Sequence, residues 1–165
     1  MFVDQKKEGE AMAERNGKEK TVVFNRRASH DYFLEDRYEC GIQLTGTEIK
    51  SNRAGKVQFK DSYISIYKGE AWIKGMHISN YSYGNIFNVD EERDRKLLLH
   101  KEEIRKIYDN IRMKGYTVVP VRMYLKNGRA KLEIALAKGK NLYDKRQSDK
   151  IRDAKREMEK ALKFH

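Results

Sequence analysis

The chain has few of the residues that usually carry chemistry. A single cysteine in 165 residues, Cys40, excludes an internal disulfide and suits a reducing compartment. The four histidines are His30, His77, His100 and His165, and none stands at ligand spacing from another His or from Cys40. A metal centre therefore has no support. Gly139 lacks companions at the spacing of a phosphate loop. No apolar run is long enough to cross a bilayer, no signal-peptide pattern opens the chain, and no internal repeat is evident. His30–Asp31, read as neighbours in a strand, would point to opposite faces and spoil a base–orienter pair. Cys40 stands in an alternating apolar set and reads as a small buried hydrophobe rather than a nucleophile. Catalysis, a cofactor and a membrane anchor are not expected.

What the chain does have is positive charge. Its 36 Lys and Arg against 25 Asp and Glu leave a formal net charge of +11. An excess of that kind points to a polyanion, either nucleic acid or an anionic membrane surface. Ten tyrosines and six phenylalanines are enough for a small core, with some left for stacking on bases.

Hydropathy patterning divides the chain into three parts. Residues 1–20 are polar, charged and without periodicity, which predicts disorder. Met12 opens a second candidate start, MAERNGKEK. From Thr21 strands are expected. TVVF is one, and YFLEDRYECGIQL is a longer one in which Tyr32, Leu34, Tyr38, Cys40, Ile42 and Leu44 alternate, with a bulge expected at Asp36. GTEIKSNRAG predicts a two-turn helix capped at Thr47 and stopped at Gly55. SYISIYKGEAWIKGMHI predicts a hairpin turning at Lys68–Gly69, with Ile66 opposite Ala71 and Ile64 opposite Ile73. SNYSYGNIFNVDEERDR reads as a long loop. HKEEIRKIYDNIRMKG predicts an amphipathic helix with Ile104, Ile107, Tyr108 and Ile111 as its stripe and Gly115 at its end.

The strongest local signal is Asn127–Gly128, because a type I′ turn needs positive φ at both central residues. Centring a hairpin there pairs Leu125 with Ala130, Met123 with Leu132, Val121 with Ile134 and Val119 with Leu136. Tyr124 opposite Lys131 and Arg122 opposite Glu133 then share the solvent face. About six strands and two helices suggest an antiparallel, OB-like β-barrel with flanking α-helices over residues 21–140. Residues 141–165 remain as a basic C-terminal tail.

Two stretches have the composition of a nucleic-acid surface. FNRRASHDYF mixes cations, an amide and aromatics, although a charged strand entrance would look the same. RDRKLLLHKEE opens with cations where a helix N-terminus favours acids, which places Arg93, Arg95 and Lys96 in a loop before the helix. Taken in order with YECGIQLTGTEIKSNRAG, DSYISIYKGEAWI, GYTVVPVRMYLKNGRAKLEIALAKGK and YDKR, these stretches resemble the small protein B family, the SsrA-binding proteins of bacterial trans-translation. The resemblance runs from about Thr21 to the end of the chain.

That resemblance implies an OB-type barrel that binds the tRNA-like domain of transfer-messenger RNA (tmRNA) and delivers it to stalled ribosomes. By it, Asn25, Glu39, Leu98 and Lys131 are RNA-binding positions, with Lys131 on phosphate and Glu39 and Leu98 shaping the surface. The cations and tyrosine beside them complete the implied RNA-binding set: Arg26, Arg27, Lys50, Arg53, Arg95, Lys96, Tyr124, Lys138 and Lys140. Two departures stand out. Thr47 is small where the family commonly has a bulky residue, and Asn141 replaces a lysine of the basic cluster.

The tail carries 10 Lys and Arg against 5 Asp and Glu between Lys138 and His165, a net of +5 over 28 residues. Such charge density predicts disorder in the free protein. By the resemblance, the tail enters the empty messenger channel and decoding centre of the small ribosomal subunit. There Tyr143, Asp144, Lys145 and Arg146 meet the ribosome, and Ile151 and Met158 form the seam of a helix folded on arrival. Elongation factor Tu and alanyl-tRNA synthetase are implied as indirect partners through the RNA. A cytoplasmic bacterial monomer is expected. Two rivals remain at the level of sequence: a structural ribosomal protein or translation factor with the same barrel, and an RNA-processing enzyme.

Overall fold

The computed structural model describes residues 19–81, 88–140 and 142–163. The expected disorder of the N-terminal extension, the SYGNIF part of the long loop and Asn141 lie outside the described residues, apart from Glu19 and Lys20 at the start of the first strand.

Among the described residues, nine strands and four helices follow one another along the chain. They are β1 (Glu19–Phe24), α1 (Arg26–Asp31), β2 (Tyr32–Ile42), α2 (Gly46–Arg53), β3 (Val57–Gln58), β4 (Tyr63–Tyr67), β5 (Glu70–Lys74), β6 (His77–Ile78), β7 (Arg95–Leu98), α3 (Lys101–Lys114), β8 (Thr117–Lys126), β9 (Arg129–Gly139) and α4 (Leu142–Lys163). Seven strands form one sheet in the order β1-β8-β9-β2-β7-β5-β4, and β3 and β6 form a separate ribbon. The described strand pairs are antiparallel. The sheet curls until β4 packs near β8, yet no ladder joins those two strands. The result is a partly open, OB-like barrel.

Its interior is filled by Ile64, Ile73, Met76, Leu97, Met123, Leu132 and Ile134, all essentially without solvent contact. Helix α3 lies against this core through Ile107, which is fully buried. Burial of such a side chain stabilises by about 1.5–3 kcal/mol. Of the expected stripe Ile104, Ile107, Tyr108 and Ile111, Tyr108 turns outward instead.

Both hairpins form at the expected turns. Around Lys68–Gly69, Ile66 faces Ala71 and Ile64 faces Ile73, with positive φ at both turn residues. Around Asn127–Gly128, the register runs as expected from Lys126↔Arg129 to Arg122↔Glu133. It then slips by one, so that Pro120 faces Ile134 and Val118 faces Leu136, rather than Val121 and Val119. The slip sits at the chain's one proline, which has no N–H for a ladder and is tolerated at a bulge. The backbone carbonyls this frees turn to Asn25: Val121 O accepts its N–H at 2.8 Å and Pro120 O accepts Nδ2 at 2.8 Å. The expected break in β2 is also present, between Leu34 and Arg37.

Helix α2 is capped by Thr45 rather than Thr47. Thr45 Oγ1 accepts from Glu48 N–H at 3.3 Å and Glu48 Oε1 accepts from Thr45 N–H at 3.0 Å. The Thr-x-x-Glu spacing needed for this reciprocal pair exists only from Thr45. Ser51 and Asn52 on the inner face of α2 are fully buried, and neither end of the Asn52 amide has a hydrogen-bond partner among the described residues. A buried amide without partners costs about 1–3 kcal/mol. Asn52→Leu, nearly equal in volume, is therefore expected to raise the thermal midpoint by several degrees. A lower midpoint in a melting curve would show that the amide contributes to stability.

Candidate nucleic-acid interface

Three adjacent strands assemble the main site. The β2–β9 register sets Gly41 opposite Lys131, and the β2–β7 register sets the same glycine opposite Leu98. A Cβ on Gly41 would stand 3.3 Å from both Cβ and Cδ1 of Leu98. The glycine thus lets Leu98 lie across the strand, where it is 51% exposed in spite of its apolar character. Leu98 and Lys131 form a ridge between two grooves. One, of about 690 Å³, is lined by Thr45, Ile49, Arg53 and Arg129; the other, of about 670 Å³, by Glu39, Lys68, Lys96 and Lys101. Gly41, Leu98 and Lys131 belong to both.

Glu39 is fixed from below. Its carboxylate accepts the Tyr124 hydroxyl and lies 3.4 Å from Lys126 Nζ. The hydrogen bond from Tyr124, with Lys126 and Lys131 nearby, holds the Glu39 carboxyl below its usual range despite partial burial. Tyr124 itself is 1% exposed, with the Arg122 guanidinium 4.1 Å from its ring centroid. Burial and the anion it serves push its phenol well up. The expected solvent-face tyrosine is therefore a support for Glu39, not a stacking platform. Arg122 covers it while bonded to Glu133 at 2.7 Å, and Arg37 reaches the same carboxylate at 3.0 Å.

Arg95 is also corrected. It opens strand β7 instead of lying in a loop, and its side chain is fully buried. Nε donates to Glu48 at 2.6 Å, Nη1 to Met76 O at 2.8 Å and Nη2 to Glu91 O at 3.0 Å. Arg93 joins the same carboxylate through Nε at 3.1 Å. Burial works against the charge of Glu48, but its bonds from Arg93, Thr45 and Arg95 outweigh it and hold the carboxyl low. Arg95 binds the barrel together and presents nothing to a ligand. Lys96 points outward from the next position and pairs with Glu70 at 3.1 Å. Lys50 is exposed over the Tyr81 ring at 5.3 Å.

A second group of expected residues gathers at the opposite end of β2, roughly 25 Å from Lys131 at about 3.3 Å per residue. Here the middle of FNRRASHDYF, Arg26–Asp31, forms a short helix between β1 and β2. Asn25 is its N-cap, with Oδ1 accepting from Ala28 N–H at 3.3 Å, so both ends of this amide are engaged by the protein's own backbone. Arg26 is exposed, and Arg27 pairs with Asp61 at 3.0 Å and Asp31 at 3.6 Å. Lys138 extends over Tyr116, 5.0 Å from its centroid. Lys140 Nζ donates to Ser29 O at 3.1 Å and lies 5.1 Å from the Phe33 centroid.

The tail, expected to be disordered when free, is the 22-residue helix α4. Its Lys, Arg, Glu, Ala and Leu are good helix formers, and Arg152 pairs with Asp149 at 2.7 Å one turn away. Its start is tethered to α1. His30 Nδ1 meets Asp31 at 2.9 Å while Nε2 meets Asp149 at 3.0 Å, and Lys145 lies 3.6 Å from Asp31. The helical setting of His30 and Asp31 allows the contact that strand geometry would have denied. Arg146, Ile151 and Met158 are exposed, and the side chains of Tyr143 and Asp144 lie outside the described residues.

Hydrogen bonds to Asp31 and Asp149 raise the His30 pKa above 6.5, and the imidazole in turn lowers both carboxylates. The tether is therefore complete below His30's ordinary value and is lost as pH rises through its raised one. At the acidic end it fails as pH falls through the lowered carboxylate values. Lys145, Arg27 and Arg152 also face this cluster. Distance measured between labels on α1 and α4 is expected to lengthen as pH rises from 6 to 9. His30→Ala should show the long distance throughout, and a distance independent of pH in the unmodified chain would remove His30 from this role.

Residues 22–164 match the family model described as SmpB protein. The chain belongs to the SmpB family. Among SmpB relatives, an SsrA-binding protein of Acetivibrio thermocellus is 56% identical over 87% of this chain and 94% of its own length. An SsrA-binding protein of Clostridium acetobutylicum is 52% identical over 92% of this chain and 98% of its own. A solved chain from work on tmRNA–SmpB at the centre of the bacterial ribosome is 45% identical, with a TM-score of 0.62 over 73% of this chain and 85% of that one. Within this SmpB fold, Glu39, Arg53, Lys96, Leu98 and Lys131 come together, while Asn25, Arg26, Arg27, Lys138 and Lys140 form a separate cluster. Sequence reasoning missed Gly41, His30, Asp149 and the Glu48–Arg95 bond. Asn25 before a run of helix formers was the one available signal for α1.

Proposed function

We propose that this SmpB-family protein is an RNA-binding adaptor of trans-translation, which binds the tRNA-like domain of tmRNA and delivers it to stalled ribosomes. The observation that carries the reading is the Leu98–Lys131 ridge over Gly41, flanked by one groove that holds Arg53, Arg93 and Arg129 and another that holds Lys68, Lys96 and Lys101. The SsrA-binding names of its relatives and the tmRNA–SmpB solved chain support the same partner. An RNA backbone fits the cations, and an exposed leucine fits an unstacked base or ribose edge. Lys131 contacts phosphate, Leu98 gives an apolar contact, and Glu39, held by Tyr124, orients the surface. Arg26, Arg27, Lys138 and Lys140 extend the contact along the duplex. The α4 tail enters the empty messenger channel, where its cations meet ribosomal RNA. The adaptor acts without a catalytic step of its own, and elongation factor Tu and alanyl-tRNA synthetase join through the RNA. No described helix is long and apolar enough to cross a membrane.

Lys131→Ala tests this reading. Each lost phosphate contact lowers the slope of log affinity against log salt by about 0.7–0.9. The variant is expected to bind the tRNA-like domain about tenfold less tightly, with a flatter salt dependence and an unchanged melting temperature. Full-strength binding by the variant would refute the placement, and a large fall in melting temperature would make Lys131 structural.

A further inference from the structure

Beyond the ridge lies a face that the reading above touches only at its edge, through Lys68 and Lys101. The β4–β5 turn stands next to the outer side of α3, and together they enclose a groove of about 730 Å³ lined by Ile66, Tyr67, Lys68, Lys101, Arg105 and Tyr108. Among the described residues no carboxylate lines it. Tyr67 is 62% and Tyr108 39% exposed, and each rests against a cation. Lys68 Nζ sits 5.3 Å from the Tyr67 centroid, and the Arg112 guanidinium 5.5 Å from that of Tyr108, with Nη1 3.1 Å from the phenol oxygen. On α3, Lys101, Arg105, Tyr108 and Arg112 recur at spacings of four, three and four and so share one face. The acids Glu102 and Asp109 fall outside that arc.

The chemistry selects the occupant. Three cations in the lining repel a basic partner and would be desolvated at a cost by an apolar helix. Two flat, exposed rings with cations beside them suit nucleobases, since stacking accepts any base and the cations meet the connecting phosphates. The groove is also continuous with the one beside Lys131, because Lys68, Gly69, Lys101 and Ile104 line both. We propose that Tyr67, Lys68, Lys101, Arg105 and Tyr108 form a second RNA-contact surface, which takes unstacked nucleotides of a single-stranded segment. The proposal rests on the RNA-binding reading, and it extends the contact past the ridge around the open edge of the barrel.

The test uses the full chain and a fluorescein-labelled octauridine carrying one 4-thiouridine, at low salt. Tyr67→Ala with Tyr108→Ala is expected to weaken binding about tenfold or more, given the usual contribution of stacked bases. Lys101→Gln with Arg105→Gln should weaken it and flatten its salt dependence. Photo-crosslinks should map to peptides holding Tyr67 or Tyr108. Because these side chains are exposed, all variants should melt like the unmodified protein. Failure of the unmodified chain to bind the oligonucleotide, affinities within twofold for both double variants, or crosslinks confined to other peptides would each overturn the proposal. Binding of the tRNA-like domain by Lys131→Ala is measured alongside. If that variant loses the domain while the tyrosine variant keeps the oligonucleotide, this surface is refuted and the adaptor reading stands. If Lys131→Ala keeps the domain, the adaptor reading fails on its own measurement.

Discussion

Arg95→Met is expected to cost about 3–5 kcal/mol of stability, the usual loss when one partner of a buried ion pair is removed. In a domain of this size that corresponds to a fall in melting temperature on the order of 10 °C or more. Methionine can occupy the volume, but Glu48, 4% exposed, would keep its negative charge with Arg93 as its remaining cationic partner. The carbonyls of Met76 and Glu91 would lose donors as well. Arg95→Lys should rescue little, because a single ammonium cannot reach acceptors on three sides. Adding Glu48→Gln to Arg95→Met should recover part of the loss, since the stranded charge is then gone. Calorimetry of the three variants decides the matter. A fall under about 3 °C for Arg95→Met would mean that the pair stabilises the barrel hardly at all. RNA affinity measured well below the melting point should be unaffected by the exchange, in contrast to Lys131→Ala.

Loss of peptide tagging, with RNA binding retained, is the expected result of changing the tail. Among the described residues, the ion pairs that hold α4 to the barrel come from Lys145 and Asp149. Beyond Asp149 the described side chains of the helix are exposed, Ile151 and Met158 about two-thirds so, and Ile151 and Arg152 border a shallow pocket against α1. An isolated helix of this length is marginal in water. Its outer turns should therefore exchange amide protons quickly in the free protein and slowly on a stalled ribosome. Neutralising Asp144, Lys145 and Arg146 together should reduce tagging of stalled peptides to background and leave affinity for the tRNA-like domain within twofold. Ile151→Pro with Met158→Pro should do the same by breaking the helix. Normal tagging by the proline-bearing chain would end the helix mechanism, and slow exchange along the whole free tail would end the idea that folding awaits the ribosome.

Much of the scaffold was legible because its signals are local. Asn127–Gly128 and Lys68–Gly69 set their turns by backbone chemistry alone, and the alternation of β2 needed only its own side chains. The slip after Arg122 was not legible. It sits at Pro120, and the carbonyls it frees are taken up by Asn25, a partner 95 residues away in sequence. The site was half legible for the same reason. Cationic residue types announce a polyanion, but they do not say which cations are already paired. Arg95 and Lys96 are neighbours, yet one is sealed against Glu48 and the other reaches the groove. Tyr124 was placed on the correct face, but Arg122 and Glu39 cover that face.

The buried thiol has a use unrelated to RNA. Cys40 is enclosed by β2 and β9 with its Sγ 3.2 Å from Leu132 O, and burial pushes its pKa up to about 12. Because the thiolate is the reactive form and the side chain is 1% exposed, Cys40 is doubly shielded from alkylation at pH 8. For maleimide chemistry the protein is effectively blank. A cysteine placed on the outer turns of α4, as in Glu159→Cys, would carry a fluorophore or spin label alone, with no need to alter the barrel to silence a competing site.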